Sequence, residues 1–149
     1  MVTTVGTESS LEDLLEDLIQ LDHDAVHAYE AAIDRLHYAG FREALKGFCQ
    51  DHLRHIEELG AQLSALGREP PKEGDMKSVL AKGKVVVFGL LGDTAILQAM
   101  KTNEDDTNTA YERAAKHDEA SEEVRDALSR GLADERRHRD WIVETIKKL

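Results

Sequence analysis

Cysteine occurs once, at Cys49, so no internal disulfide can staple the chain, and prolines number only two. Aromatic residues make up 5% of the 149 positions. A sandwich or barrel rich in turns and in aromatic, β-branched strands is excluded by that composition. The most apolar run, Val85 to Gly92 (VVVFGLLG), is about 8 residues where a membrane-spanning helix needs roughly 20. No basic and apolar leader opens the sequence, and with a lone thiol this gives the expectation of a reducing, cytoplasmic location. Positive charge is also short: 19 basic residues stand against 30 acidic ones, a formal net charge of −11. A nonspecific grip on nucleic acid or on an anionic membrane is thereby disfavoured, and the expected partners are cations.

What is present is charge, at 33% of residues, and histidine, at seven. Apolar residues recur with helical period at Leu11, Leu14, Leu15, Leu18, Ala25, Val26, Tyr29, Ile33 and Leu36. A second stripe runs through Phe41, Leu45, Phe48, Ile56, Leu59, Leu63 and Leu66. Gly40 separates the two, and Gly67 with Pro70-Pro71 ends the second. Further stripes pass through Ile96, Met100, Thr107, Tyr111 and Ala114, and through Val124, Leu128, Leu132, Ile142 and Ile146. The expectation is one all-α domain over 1–149, with helices at about 10–37, 41–66, 93–117 and 121–149. These form two antiparallel hairpins joined by a crossover at 68–92 that has room for a short helix.

An internal repeat supports this architecture. AYEAAID at Ala28 to Asp34 recurs as AYERAAK at Ala110 to Lys116, and DHLRH at Asp51 to His55 recurs as DERRH at Asp134 to His138, at offsets of 82 and 83 residues. Followed along each helix, the core-facing stripe meets ionisable residues at mid-length: Asp22, the pair His52 and His55, Glu104, and the pair Glu135 and His138. Each set lies about 16 residues from its hairpin turn, or roughly 24 Å at the helical rise, so the four helices bring them to one height. Unpaired charge in such an interior costs several kcal/mol per group, so these side chains must satisfy one another or coordinate something.

Carboxylates and imidazoles at i and i+3 on one helix face, with a lone carboxylate from the neighbouring helix, are the donors a dinuclear metal centre requires. Glu135, His138 and Glu104 form one expected half-site, and Asp22, His52 and His55 a modified one. The other reading is a buried hydrogen-bonded network that only fixes bundle register. Tyr29 and Tyr111, two turns from the carboxylates, and Asp51 and Asp134, each just before a ligand-bearing position, are candidates for holding the ligands in place. Cys49 reads as a small buried thiol, and His23 and His27 as a solvated flank. His37 and His117 read as helix-terminal cations, and the acidic run Glu12, Asp13, Glu16, Asp17 and Asp24 as a solvated face.

The stretch DERRHRDWIVET, Asp134 to Thr145, resembles the last-helix signature of the bacterioferritin and rubrerythrin branch of the ferritin-like proteins. In that branch the Glu and His of DExxH are iron ligands. The spacings Asp22 to Tyr29 and Glu104 to Tyr111 are similar to the Glu-to-Tyr spacing of bacterioferritins. LIQLDHDAVHAYEAA and GDTAILQAMKTNEDDTNTAYE look more like a family of small bacterial ferritin-like bundles to which no chemistry is assigned. The resemblance implies a ferritin-like four-helix bundle with two iron ions, manganese or zinc being the alternatives, which oxidises Fe(II) with dioxygen or peroxide. His52 stands where the family's second helix carries a bridging Glu. Leu53 stands where bacterioferritins carry their haem-ligating Met, so no haem is expected. The sequence stops just after the last helix, so a monomer or homodimer is expected in place of a storage shell. The competing expectation is a non-catalytic, stress-related bundle, metal-free or with a single structural metal.

Overall fold

The computed structural model describes residues 3–73 and 92–149. Over these the chain is a four-helix all-α bundle with no strand: α1 spans Leu11–Arg35, α2 Ala39–Ala65, α3 Asp93–Ala114 and α4 Glu122–Lys147. Most of the crossover, at 74–91, and with it the Val85 run, lies outside the described residues. Among those described, no helix is long and apolar enough to cross a membrane.

The helix ends follow from local chemistry. Ser10 caps α1 by accepting from the Asp13 amide (3.1 Å), with Glu12 and Asp13 in the first turn facing the positive end of the helix dipole. Ser121 caps α4 in the same way, accepting from the Val124 amide at 3.2 Å, with Glu122 and Glu123 behind it. α2 ends where Gly67 turns to φ 91°, the Arg68 amide donating to Leu63 and the Gly67 amide to Ser64. A side chain would oppose that left-handed turn.

The break between α1 and α2 falls at 36–38, not at Gly40, which lies inside α2. The reason is tertiary. Asp93, the first residue of α3, accepts from the His37 and Tyr38 amides at 2.7 and 3.0 Å, and Arg42 donates to the carbonyls of Leu36 and His37 at 2.9 and 2.7 Å. These bonds put the start of α3 at the same end as the α1–α2 turn. At the other end, the Leu11 amide donates to Glu119 in the α3–α4 turn (2.9 Å). The end of α2 and the start of α3 therefore lie at opposite ends of the bundle. α1 packs chiefly on α2 and α3 on α4, and the hairpins close through α1 against α3 and α2 against α4.

The core has three layers. Leu14, Leu15, Leu18, Leu59, Leu63, Ala110, Leu128 and their neighbours form one apolar cluster, and Val26, Ala32, Leu45, Phe48, Leu97, Met100 and Ile142 belong to another. Between them on every helix lie the buried polar residues Asp22, His52, His55, Glu104, Glu135 and His138.

One glycine serves this layer by close approach. A Cβ on Gly131 of α4 would lie 2.4 Å from Cε1 and 2.9 Å from Cδ1 of the buried Tyr111 ring. Gly131→Ala should therefore destabilise the fold by about 1–3 kcal/mol, because displacing the ring outweighs the gain of roughly 1 kcal/mol from a better helix former. Urea unfolding reads this directly, and a midpoint equal to or above wild type would contradict it.

Candidate metal centre

All six core-facing ionisable residues meet in the middle layer, each at most 2% exposed. Two sets of ligand atoms lie within 4.8 Å of one another: Asp22, His52, His55 and Glu135, and His52, Glu104, Glu135 and His138. The first set is the Asp22/His52/His55 half joined by Glu135, and the second is the Glu104/Glu135/His138 half joined by His52. Glu135 and His52 belong to both sets. They are the repeat-related pair, 83 residues apart, one on α4 and one on α2. His52 Nδ1 is 3.4 Å from Glu135 Oε1, which is also 3.5 Å from His55 Nδ1. His138 Nδ1 lies 3.4 Å from Glu104 Oε1 and 3.6 Å from Glu135 Oε2.

The supporting contacts cross between repeats. Tyr29 on α1 donates to Glu104 on α3, and Tyr111 on α3 donates to Asp22 on α1 at 2.6 Å. His138 Nε2 on α4 donates to Asp51 on α2 (2.8 Å), and His55 Nε2 on α2 donates to Asp134 on α4 (2.9 Å). All four residues singled out as ligand holders therefore touch the cluster, each reaching across to the other hairpin. His55 and His138 are left with Nδ1 facing inward. His52 differs, because both of its nitrogens face the cluster, Nδ1 at 2.8 Å from Asp22 and Nε2 at 3.6 Å from Glu104.

Sequence reasoning missed two kinds of contact. Thr107 Oγ1 lies 3.0 Å from Glu135 Oε2 and 3.2 Å from Glu104 Oε2, and Asn108 donates to the Glu135 carbonyl at 3.0 Å. The i, i+3 offset of Thr107 from Glu104 was the available signal. Arg54 and Arg137 bind Asp51 and Asp134 at the surface. Of the residues set aside, Cys49 is a buried free thiol, and His27 pairs with Glu73 at 2.8 Å.

Charge is matched inside the layer. Burial pulls the imidazoles down, but the hydrogen bonds and attraction of Asp22 and Glu135 outweigh it and raise His55 from 6.5 to about 10. Glu104 and Glu135 likewise raise His138 to about 9. His52 is held well above its ordinary value against burial by Glu135, Asp22 and Glu104. Burial pushes Asp22 up, but His52 and His55 bring it down to about 2, and His138 with His52 hold Glu104 well below the carboxylate range. Burial and the adjoining carboxylates raise both Tyr29 and Tyr111, which stay protonated donors.

These directions fix how the metal-free protein responds to pH. An imidazole whose folded value is raised stabilises the fold fully below its unfolded value of about 6.5, and that contribution is lost as pH rises through the folded value. For His138 and His55 the loss extends to about 9 and about 10. The lowered Asp22 acts oppositely, contributing above its ordinary 3.8 and losing that contribution as pH falls through about 2. Chelator-treated protein should have its highest urea midpoint between about pH 4 and 6.5 and a steadily lower one toward pH 10. A midpoint that rises from pH 6.5 to 10 would contradict this charge pattern.

Three buried polar atoms have no hydrogen-bond partner among the cluster residues that surround them: His52 Nε2, Glu135 Oε1 and His138 Nδ1. Buried polar atoms without a hydrogen bond are costly, and these keep only longer ionic contacts, His52 Nε2 and His138 Nδ1 with Glu104 Oε1 at 3.6 and 3.4 Å, and Glu135 Oε1 with Nδ1 of His52 and His55 at 3.4 and 3.5 Å. Such a nitrogen- and oxygen-lined interior fits a divalent first-row ion. The group able to hold one is formed by residues the fold has already buried and oriented.

A solved structure shares the fold. The crystal structure of a conserved hypothetical protein, Rv2844, from Mycobacterium tuberculosis is 16% identical, with a TM-score of 0.75 over 93% of this chain and 98% of that one. No curated protein matches the sequence. The family model described as domain of unknown function DUF2383 matches residues 10–117, which take in α1, α2, α3 and four of the six buried ionisable residues, and the chain belongs to that family.

Proposed function

We propose that the protein is a ferritin-like metal-binding protein that takes two divalent ions at Asp22, His52, His55, Glu104, Glu135 and His138 and oxidises Fe(II) with dioxygen or peroxide. The observation that carries this reading is the buried meeting of six ligand side chains in two overlapping sets, in which His52 Nε2, Glu135 Oε1 and His138 Nδ1 make no hydrogen bond. The crossing supports from Asp51, Asp134, Tyr29 and Tyr111 strengthen it, since ligands of a metal are commonly held in this way. The likeness of DERRHRDWIVET to the bacterioferritin and rubrerythrin signature supports iron, with manganese or zinc as the other ions these donors accommodate. The reading includes a monomer or homodimer, without haem, working in the cytoplasm.

The chemistry supplied on loading is the loss of one electron from each of two Fe(II) ions, dioxygen taking both electrons and two protons to become hydrogen peroxide. The protein's own residues do the rest. Glu135, common to both ligand sets, offers an oxygen to each side. His55 and His138 present Nδ1 inward because Asp134 and Asp51 occupy Nε2, and Tyr111 and Tyr29 pin Asp22 and Glu104. The apolar layers above and below keep bulk water out, which strengthens every charge interaction within.

The competing reading is a structural bundle, metal-free or with one metal. Its support is the 2.8 Å bond between Asp22 and His52, which satisfies two of the buried groups without any ion. Anaerobic Fe(II) titration followed by air separates the two. Two ions per chain and ferric absorbance on oxygenation are expected, and no binding with no absorbance would establish the structural reading.

A further inference from the structure

Arg54 and Arg137 occupy repeat-related positions 83 residues apart, each three residues after Asp51 or Asp134 and one before His55 or His138. Their guanidinium groups and the two aspartates form a closed ring across α2 and α4. Arg54 Nη1 lies 3.0 Å from Asp51 Oδ1, and its Nη2 donates to Asp134 Oδ2. Arg137 Nη2 donates to Asp51 Oδ2 at 2.7 Å and to Asp134 Oδ1 at 3.0 Å. Every aspartate oxygen in the ring is thus engaged by an arginine. The same carboxylates accept from the outer nitrogens of the buried imidazoles, Asp51 from His138 and Asp134 from His55.

We infer that Arg54 and Arg137 are positioning residues for the metal site, a surface clamp that sets both aspartates and through them aims His55 and His138 inward. The inference rests on the metal-binding reading for its consequence and on the ring geometry for its substance. Arg54 and Arg137 are 46% and 54% exposed in their side chains, and ion pairs so open to water contribute little to global stability. What a planar fork adds is direction. Arg54 spreads its two terminal nitrogens over Asp51 and Asp134, and Arg137 spans both aspartates from Nη2, with N–H directions fixed by the planar guanidinium, which a lysine ammonium, a point charge on a flexible stem, does not supply.

The test uses three full-length proteins: wild type, Arg54→Gln with Arg137→Gln, and Arg54→Lys with Arg137→Lys. Two readouts are taken. The first is the lifetime of the Nε2–H protons of His55 and His138 in ¹⁵N-edited NMR of metal-free protein. The second is Co(II) affinity followed by visible absorbance. Both double variants should melt close to wild type, yet lose the long-lived Nε2–H signals and bind Co(II) about tenfold more weakly, the lower end of what loss of an outer partner costs a metal site. Restoration by the lysine pair would overturn the clamp in favour of charge alone. Unchanged Nε2–H signals, or weaker binding that only tracks a large fall in melting temperature, would also overturn it. Should wild type bind no Co(II), the metal reading fails, and the NMR comparison still decides whether the arginines hold the imidazoles.

Discussion

Replacing Glu135 with glutamine should empty the site of both ions, whereas Asp22→Asn and Glu104→Gln should each empty only one side. Glutamine keeps the shape of a glutamate and its bond to Thr107 but removes the anionic oxygens. Glu135 is the carboxylate common to both ligand sets, so its loss takes a charge from each ion, while Asp22 and Glu104 each belong to a single set. The expected stoichiometries are zero, one and one ion per chain against two in the wild type, with affinity at the emptied positions lower by more than the 10–100-fold typical of outer-partner loss. Metal analysis after anaerobic loading and desalting measures this. Glu135→Gln protein that retains one tightly held ion would show that the two positions do not share it. The same proteins report stability, since an ion at a hundredfold excess over its Kd raises native stability by about 2.7 kcal/mol if it does not bind the unfolded chain.

The second large effect should come from His52→Glu. His52 is the repeat partner of Glu135, and its two nitrogens face Asp22 and Glu104 with no outer carboxylate to fix either one. A glutamate there would put a second shared carboxylate opposite the first and bring the ligand charge from three to four, matching two divalent ions. Tighter binding of the second ion and faster Fe(II) oxidation are expected, each tenfold gain in affinity corresponding to about 1.4 kcal/mol. Without metal the same variant should be less stable than wild type. Four carboxylates would then face two imidazoles, and close like charges disfavour ionisation. Unchanged stoichiometry together with an unchanged oxidation rate would mean that His52 is not a ligand, and the account would contract to a single-metal or structural core.

The sequence carried the bundle and the identity of the buried polar layer because both are periodic. A stripe with period 3.6 and a repeat at offsets of 82 and 83 are properties of spacing alone, and Asp22, Glu104 and the two i, i+3 pairs stand where the stripes run through the middle of each helix. What spacing does not contain is rotation of one helix against another. That rotation makes Glu135 and His52 common to both ligand sets, and sends Tyr29 to Glu104 and Asp51 to His138 across the hairpins. Gly40 misled because glycine is a common helix breaker, while the actual break was made by Asp93, more than fifty residues away, collecting the His37 and Tyr38 amides. Arg54 and Arg137 are half-exposed, and nothing in their spacing alone marks them. Only the pairing of α2 with α4 joins them to the site.

The most direct measurement is anomalous diffraction from crystals grown with Mn(II), the signal from the ion giving its position without reference to activity. Two peaks inside the bundle are predicted, one among Asp22, His55 and Glu135 and one among Glu104, His138 and Glu135. No peak in the core, with manganese only on surface carboxylates, would contradict the central claim that this buried layer is a metal site.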